Sequence, residues 1–266
     1  MEVFFVLGSR LEGTDRDNGD GRRRPEGGRV KAIVVADGDV PVRAAIDAGW
    51  PGWNDDAVFV IAADGGWDKA AALGLRPDLL VGDADSLAPG RFAAAMATPG
   101  LTVERSRVAK DESDAELAIR AAVKRGATRI VVLGALGGRR FDHALANVGL
   151  LALPDPAEVE VELLDATTRV RLLRAPAPDG GPATLALEGP AGDLVSLLPL
   201  GVPAVGVTTH WLAYPLADED LQPGPARGLS NVRISAAAGV SLHRGSLVVV
   251  ETRVEPGRGD PAVKEQ

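Results

Sequence analysis

The chain has 266 residues, of which 45% are hydrophobic and 25% are charged, a balance typical of a globular protein with ample material for a core. A formal net charge of −8 argues against a nucleic-acid partner bound through phosphate neutralisation, but not against a phosphorylated ligand whose charge a cation offsets. The sequence has no cysteine, and its three histidines lack zinc-type spacing. Any bound metal is therefore expected to be a hard ion on oxygen ligands.

The amino-terminal segment MEVFFVLG is apolar, and a charged, glycine-rich stretch follows it over residues 9–29. The apolar segment is too short to span a bilayer and no signal-peptide cleavage site follows, so we expect a cytoplasmic protein with no membrane partner. The stretch after it cannot supply a core. Residues 1–29 are therefore expected to be a disordered extension, or to precede a true translation start near Val30.

Strand and helix patterns alternate over residues 30–153. Short apolar runs that stop at Gly or Asp indicate buried strands, and the stretches between them indicate helices at residues 42–48, 67–73, 91–97 and 114–124. This alternation predicts an α/β domain with a parallel sheet covered on both faces. In such domains ligands bind outside the carboxyl ends of the strands, which is where the Asp- and Gly-rich stretches of this chain fall.

The pattern changes after Pro154. Residues 158–254 contain many short β-type runs separated by Gly and Pro turns, which predict a small antiparallel sandwich or barrel. The segment 154–157 marks the boundary between the two predicted domains. Residues 255–266 are rich in Gly, Pro and charge, and are expected to form a loose tail.

Two aspartates lie two residues apart in LLVGDADSLAPG, directly after an apolar run. On an extended segment Asp83 and Asp85 project to the same side, so both carboxylates can face one cation that offsets their charge. Mg²⁺ suits such a site because waters and phosphate oxygens supply its remaining ligands. The simpler alternative is an ordinary Asp-rich loop cap.

A second group of polar residues lies in KDESDAEL. Ser113 and Glu116 match a capping box, which predicts a helix starting at Asp114. Lys110 and Asp111 crowd the same helix start, which could hold a metal–phosphate complex. Alternatively, Asp114 is only an acidic residue in the first turn, favoured by the helix dipole.

A third group lies in GALGGRRFDHALANVGLL, where glycines separate a strand from a helix as in loops that approach phosphates. A tight turn with a helix cap explains the glycines equally well. The polar residues that follow are Arg139, Arg140, Asp142, His143 and Asn147. Asp64, in AADGG, ends another strand at the same predicted edge.

Taken in order, these stretches resemble the thiamine pyrophosphokinase family. The family pattern is A-D-G-G, P-D-x-x-x-G-D-x-D-S, D-x-[ST]-D, and G-x-x-G-G-R-x-D-H with a downstream Asn. Here the four motifs occupy residues 63–66, 77–86, 111–114 and 134–147, the last with one extra residue. Three further matches lie in the β-rich part, namely SLLPLG, AYPL and GLSN, so the resemblance covers residues 30–252.

The resemblance implies an α/β nucleotide-binding domain joined to a β-sandwich, a homodimer with its active site between subunits, and Mg²⁺-dependent transfer of the pyrophosphoryl group of ATP to thiamine. Asp83, Asp85 and Asp114 match the magnesium-binding carboxylates. Residues that match positions around the nucleotide are Asp64, Lys110, Asp111, Arg140, Asp142 and Asn147. In the β domain Tyr214 matches the aromatic residue that stacks on the thiamine pyrimidine ring, and Thr209, Ser230 and Asn231 match positions near it.

The chain departs from the family pattern at three places. Ala84 stands where Phe is commoner, and the extra Arg leaves open whether Arg139 or Arg140 meets phosphate. THWLAYPL lacks the Gly and Lys of the usual G-[LF]-K-[YW]-x-L. No general base is assigned. Two alternatives stay open: a pyrophosphokinase of the same fold acting on another alcohol, such as a hydroxymethyl pterin, and a non-catalytic nucleotide-binding relative.

Overall fold

A computed structural model describes residues 29–82, 89–105, 111–153 and 159–254. The helices are α1 (Arg43–Gly49), α2 (Gly66–Ala72), α3 (Pro89–Met96), α4 (Asp114–Lys124) and α5 (Phe141–Leu150), with a short 3₁₀ turn at Ala226–Gly228. The strands of the first half are β1 (Lys31–Val35), β2 (Ala57–Ala63), β3 (Leu79–Gly82), β4 (Thr102–Arg105), β5 (Arg129–Leu133) and β6 (Glu160–Leu164). Those of the second half are β7 (Thr168–Ala175), β8 (Ala183–Ala186), β9 (Leu194–Pro199), β10 (Ala204–His210), β11 (Glu219–Leu221), β12 (Asn231–Val232), β13 (Gly239–Leu242) and β14 (Gly245–Thr252).

The first six strands form a parallel sheet in the order β6-β5-β1-β2-β3-β4. All five residues of β1 are buried, as expected for a strand covered on both faces. Helices α4 and α5 pack on one face, and α1, α2 and α3 pack on the other. The chain moves outwards from β1 to β4 and returns through α4 to β5, on the other side of β1. The topological switch point therefore lies between the carboxyl ends of β1 and β5, where ligands bind in sheets of this kind.

The same sheet continues into the second half of the chain. Strand β6 pairs in antiparallel fashion with β7, and the order then runs β7-β14-β9-β12. A second sheet, β11-β10-β13-β8, contributes to a shared apolar core with this part of the large sheet. The predicted combination of a parallel α/β layer and a small antiparallel β-sandwich is confirmed.

Strand β6 differs from the sequence-based expectation, which grouped its residues with the sandwich. It pairs with β5 in parallel, so the parallel layer extends to Leu164. The alternation of Val and Glu in this stretch is typical of a strand with one solvated face. In the structure Glu162 is buried instead, and its carboxylate lies 3.1 Å from the Arg129 guanidinium.

The helices predicted before β6 agree with α1 to α4 within two residues, and α4 has the predicted bounds. The Ser113 hydroxyl accepts a hydrogen bond from the Glu116 backbone N–H at 3.1 Å, which is the side-chain cap of the predicted capping box. Three short strands, β4, β11 and β13, were not predicted. No helix among the described residues is both long enough and apolar enough to cross a membrane.

A buried ionic network joins the strands of the sandwich. Glu251 on β14 is 1% exposed, and both of its carboxylate oxygens accept hydrogen bonds from Arg169, each at 3.1 Å. The same carboxylate accepts from Arg171 and, at 2.9 Å, from Arg233. Burial opposes ionisation of Glu251, but the charges of Arg171 and Arg169 outweigh that cost and hold its pKa below the ordinary value of 4.5.

A second part of the network reaches the α/β layer. The Arg253 guanidinium lies 3.9 Å from the centroid of the Trp50 ring, at the end of α1, and donates to the Gly49 carbonyl at 2.7 Å. It also pairs with Asp193 at 2.6 Å, while the Trp50 indole N–H donates to the Asp165 carbonyl at 2.9 Å. These contacts connect α1 to the strands of the sandwich.

We predict that Glu251→Gln lowers the free energy of unfolding by about 3 kcal/mol at neutral pH, because it leaves buried guanidinium groups without a full counter-charge. Since the folded state lowers the pKa of Glu251, this contribution is complete above the pKa of the unfolded state. It is lost as the pH falls through the folded value. The difference between parent and variant should therefore narrow below about pH 4.5. Urea unfolding over a pH series measures both effects.

The matched control is Glu219→Gln, which removes the partner of Arg227 from an exposed pair with a separation of 3.0 Å. Exposed pairs of this kind contribute less than about 1 kcal/mol. Equal losses in the two variants would contradict a special role for the buried carboxylate.

Candidate active site

The loops after β1 and β5 lie backbone against backbone at the switch point. The Gly38 N–H donates to the Gly134 carbonyl at 3.0 Å, and a Cβ atom at Gly38 would lie 2.1 Å from that oxygen and 2.5 Å from the Gly137 carbonyl. Gly134 also has a φ of +70°, a conformation that favours glycine. Loop packing therefore accounts for Gly134 and Gly137, which were predicted either to approach phosphate or to form a tight turn.

Asp64 lies beside the end of β3. Its backbone has a φ of +48°, its N–H donates to the Val81 carbonyl at 2.8 Å, and the residue is only 5% exposed. A Cβ atom on Gly82 would lie 3.2 Å from the Asp64 Cβ, so the two strand ends are in close contact. Asp64 therefore lies beside Gly82, the residue that precedes Asp83 in the sequence.

Asp83, Asp85 and Lys110 lie outside the described residues. Among the residues that the structure describes, no three Asp, Glu or His side chains form a group that could hold a metal ion. Two of the three predicted metal ligands, Asp83 and Asp85, are thus not described, and the third, Asp114, lies at the same edge of the sheet. An all-carboxylate donor set suits a hard cation such as Mg²⁺.

Asp114 is the first residue of α4 and is half-buried. Because α4 connects the carboxyl end of β4 to the amino end of β5, its first turn lies on the carboxyl side of the sheet. Asp111, just before the helix, is exposed. Glu116 has a different role, since its carboxylate pairs with Arg120 at 2.8 Å within the helix.

An ion pair that the sequence analysis missed lies at the same edge. The Lys69 ammonium in α2 lies 2.9 Å from the Asp37 carboxylate and also donates to the Asp37 carbonyl. The Asp37 carboxylate packs on Gly65, where a Cβ atom would lie 2.1 Å from its Oδ1. One feature of the sequence could have pointed to Asp37: the Asp-Gly dipeptide after β1 is repeated after β2, where Asp64 was singled out.

Polar side chains of the loop and helix after β5 divide into two kinds. The Arg140 guanidinium makes two hydrogen bonds to the Asp142 carboxylate, and this hydrogen bonding holds the pKa of Asp142 below its ordinary value. Arg139, Arg140 and Asp142 are all exposed. The Asn147 amide donates to the Ala135 carbonyl at 2.9 Å, so its described contact supports the glycine loop.

In the β domain, the loop after β10 presents Tyr214 with 49% of the residue exposed. Asn231, which is buried, accepts from the Tyr214 N–H at 3.0 Å and donates to the Tyr214 carbonyl at 2.6 Å. The buried Thr209 hydroxyl accepts from the Leu216 N–H at 2.9 Å and thereby closes the loop. Of the four predicted substrate residues, Tyr214 and Ser230 are exposed, while Thr209 and Asn231 hold the backbone that carries Tyr214.

Two family models match the chain. Residues 52–163 match "Thiamin pyrophosphokinase, catalytic domain", and residues 184–247 match "Thiamin pyrophosphokinase, vitamin B1 binding domain". The first match contains β2 to β5 with α2 to α5 and reaches into β6. The second begins within β8, contains β9 to β13 and reaches into β14. The two models together cover more than half of the chain, in the order in which the α/β layer and the sandwich follow each other.

Individual relatives agree with these models. The thiamine pyrophosphokinase of Bacillus subtilis (strain 168) is 25% identical over 203 residues, which are 76% of this chain and 90% of that protein. The crystal structure of a Bacillus subtilis thiamine pyrophosphokinase matches with a TM-score of 0.71 and 23% identity, covering 85% of this chain and 100% of that one. The Candida albicans enzyme has the same fold, with a TM-score of 0.67 and 16% identity over 84% of this chain and 90% of that one. This chain belongs to the thiamine pyrophosphokinase family.

Proposed function

We propose that this chain transfers the β,γ-pyrophosphoryl group of ATP to the hydroxyl of thiamine, giving thiamine diphosphate and AMP. The supporting observation is that a catalytic-domain match and a vitamin B1-binding match occur in one chain. The first contributes carboxylates at the carboxyl edge of the sheet, and the second presents an exposed tyrosine on a loop tied down by Asn231.

The reaction forms a bond between the thiamine oxygen and the β-phosphorus and breaks the bond from that phosphorus to the oxygen that leaves with AMP. The hydroxyl proton passes to solvent. Transfer of this type has a loose transition state, so catalysis depends mainly on positioning and on charge neutralisation, and no strong general base is required.

We propose that Asp83, Asp85 and Asp114 hold Mg²⁺ at the end of β3 and the start of α4. When bound there, Mg²⁺ would neutralise part of the charge on the triphosphate. Further residues that we propose around the nucleotide are Asp64, Lys110, Asp111, Arg140, Asp142 and Asn147. Asn147 acts through the glycine loop, whose Ala135 carbonyl it binds. Arg140 is held by Asp142 beside that loop.

The two alternative functions, transfer to another alcohol and nucleotide binding without catalysis, are not favoured. A hydroxymethyl pterin kinase of the same architecture would not account for the vitamin B1-binding match over residues 184–247. A non-catalytic relative would not account for Asp64, Asp83, Asp85, Asp111 and Asp114 standing together at the motif positions.

The function is tested by Mg²⁺-dependent release of AMP from ATP with thiamine, compared with a hydroxymethyl pterin. We expect AMP release with thiamine and none with the pterin. AMP release with the pterin but not with thiamine would disprove thiamine as the acceptor.

Asp114→Asn should lower kcat by about a hundredfold or more, because it removes charge that the metal–triphosphate complex needs. Its control, Glu116→Gln, should change kcat less than about threefold, since that carboxylate serves Arg120. Equal losses of kcat in the two variants would place the metal elsewhere.

We further propose that Lys69 contacts the phosphates of ATP. Its ammonium lies between the loops after β1 and β2, with 26% of the side chain exposed, and Asp37 holds it there. Lys69→Gln should raise the KM for ATP about tenfold, equivalent to about 1.4 kcal/mol, and leave the KM for thiamine unchanged. Steady-state kinetics with each substrate varied measures the difference.

Two variants control the Lys69 experiment. Lys69→Arg keeps the positive charge and should retain most of the affinity for ATP. Lys124→Gln removes an exposed cation from the last turn of α4, at the opposite edge of the sheet, and should have no effect. An unchanged KM for ATP in Lys69→Gln would show that the Asp37–Lys69 pair only connects the two loops.

We propose that the active enzyme is a cytoplasmic homodimer with its site between subunits. Both halves of the chain expose apolar side chains that a monomer leaves in water. Phe141 and Leu145, one turn apart on α5, are 79% and 60% exposed. Leu229 and Ile234 in the β domain are 52% and 54% exposed. Apolar surface of this kind marks a contact site, and a second copy of the chain offers the complementary half-site.

Mixed dimers test the shared site. Tyr214→Ala should raise the KM for thiamine about tenfold, and Asp114→Asn should abolish turnover. When the two variants are mixed and assayed at low thiamine, half of the dimers pair unlike chains and each of these has one intact site. Activity should therefore return to about a quarter of the parent value. No recovery, with mixed dimers shown to form by mass spectrometry, would mean that each site lies within one subunit.

A further inference from the structure

Trp211 combines an exposed indole with a backbone conformation that large side chains avoid. The residue follows β10 with a φ of +57° and is 58% exposed. A left-handed conformation is unfavourable for a residue other than glycine. The family pattern quoted above has Gly at this position, where such a backbone carries no penalty. A tryptophan here therefore needs an explanation outside the backbone.

Packing does not supply that explanation. All four tryptophans of the chain lie within the described residues, and the other three are in the interior or half-buried. Trp50 lies against Arg169 and Arg253, Trp53 donates to Asp47 at 2.7 Å, and Trp67 packs on an apolar cluster. Trp211 belongs to none of the buried apolar clusters found among the described residues.

The segment that carries Trp211 is tied on one side to residues 232–234. Leu212 is bridged to Arg233, and both are buried. The Trp211 carbonyl accepts from the Ile234 N–H at 3.0 Å. Trp211 and Ile234 are both exposed, beside the buried pair of Leu212 and Arg233. Arg233 is in turn fixed by Glu251 at 2.9 Å.

Tyr214 follows three residues later, fixed by Asn231. The same short segment therefore presents two exposed aromatic side chains, each from a backbone held by hydrogen bonds. None of the cation–ring contacts among the described residues involves Trp211 or Tyr214. An external cation therefore competes with none of the cations in these contacts for either ring.

We propose that Trp211 is a second aromatic contact for the acceptor, made to its cationic ring while Tyr214 contacts the pyrimidine, and that it increases the selectivity of this chain for a positively charged heteroaromatic alcohol. This inference rests on the function proposed above. Tryptophan gives the strongest cation–π interaction of the aromatic side chains, and a positively charged thiazolium is a suitable partner. A neutral acceptor cannot make this interaction, so a tryptophan at residue 211 favours charged over neutral acceptors.

Intrinsic fluorescence tests the contact directly. In the parent protein, thiamine should quench the emission of the exposed tryptophan. Trp211→Gly should lose that quenching, whereas the control Trp67→Phe should retain it. In Trp211→Gly the KM for thiamine should rise about fivefold and the KM for ATP should not change. The melting temperature should not fall, because glycine accepts the left-handed backbone.

The outcomes separate the two proposals. If the parent releases no AMP with thiamine, the proposed function is wrong and the role of Trp211 is lost with it. If the parent is active but Trp211→Gly keeps both the quenching and the KM for thiamine, only the role of Trp211 is wrong. If Trp211→Gly becomes monomeric in size-exclusion chromatography and loses affinity for both substrates equally, Trp211 is a subunit contact, which also overturns the inference.

Discussion

The ionised carboxylate of Glu251 is the constraint on which the relation of the two halves depends. It lies in the interior, where a charge is tolerated only with matching partners, and those partners come from two separate parts of the sheet. Arg169 and Arg171 belong to β7, next to the parallel layer, while Arg233 follows β12 at the far edge of the same sheet. One carboxylate therefore connects β14 to β7 on one side and to the segment after β12 on the other.

Networks of this kind contribute more to specificity than to net stability, because desolvation offsets most of the Coulomb attraction. Here the network fixes the position of a short segment, residues 211–214. Arg233, a partner of Glu251, is bridged to Leu212, the residue between Trp211 and the loop that carries Tyr214. The side chains of Asn231 and Thr209 also hold this loop, by accepting hydrogen bonds from the backbone N–H groups of Tyr214 and Leu216. A charge deep in the core thus determines where an exposed aromatic side chain lies.

Features encoded by local sequence were predictable, and features that depend on distant pairing were not. The bounds of α4 and its Ser113 cap follow from neighbouring residues, and the structure agrees. Strand β6 was grouped with the sandwich, because its burial depends on Arg129, thirty-three residues earlier. The Asp37–Lys69 pair escaped for the same reason, since its partners meet only when β1 and β2 align. Motif matching identified Asn231 and Thr209, but only the structure shows that they bind backbone atoms.

The two proposed substrates make opposite electrostatic demands, and the fold meets them in separate layers. A triphosphate needs cations and a metal, which we place at loops whose glycines pack backbone on backbone at Gly38 and Gly134. A cationic heteroaromatic ring needs electron-rich faces without competing cations, which the β domain offers at Tyr214. Because a loose transition state gains little from chemical groups and much from alignment, both surfaces have to be rigid before the substrates arrive. Tight loop packing on one side and buried polar clamps on the other are two physical routes to the same pre-organisation.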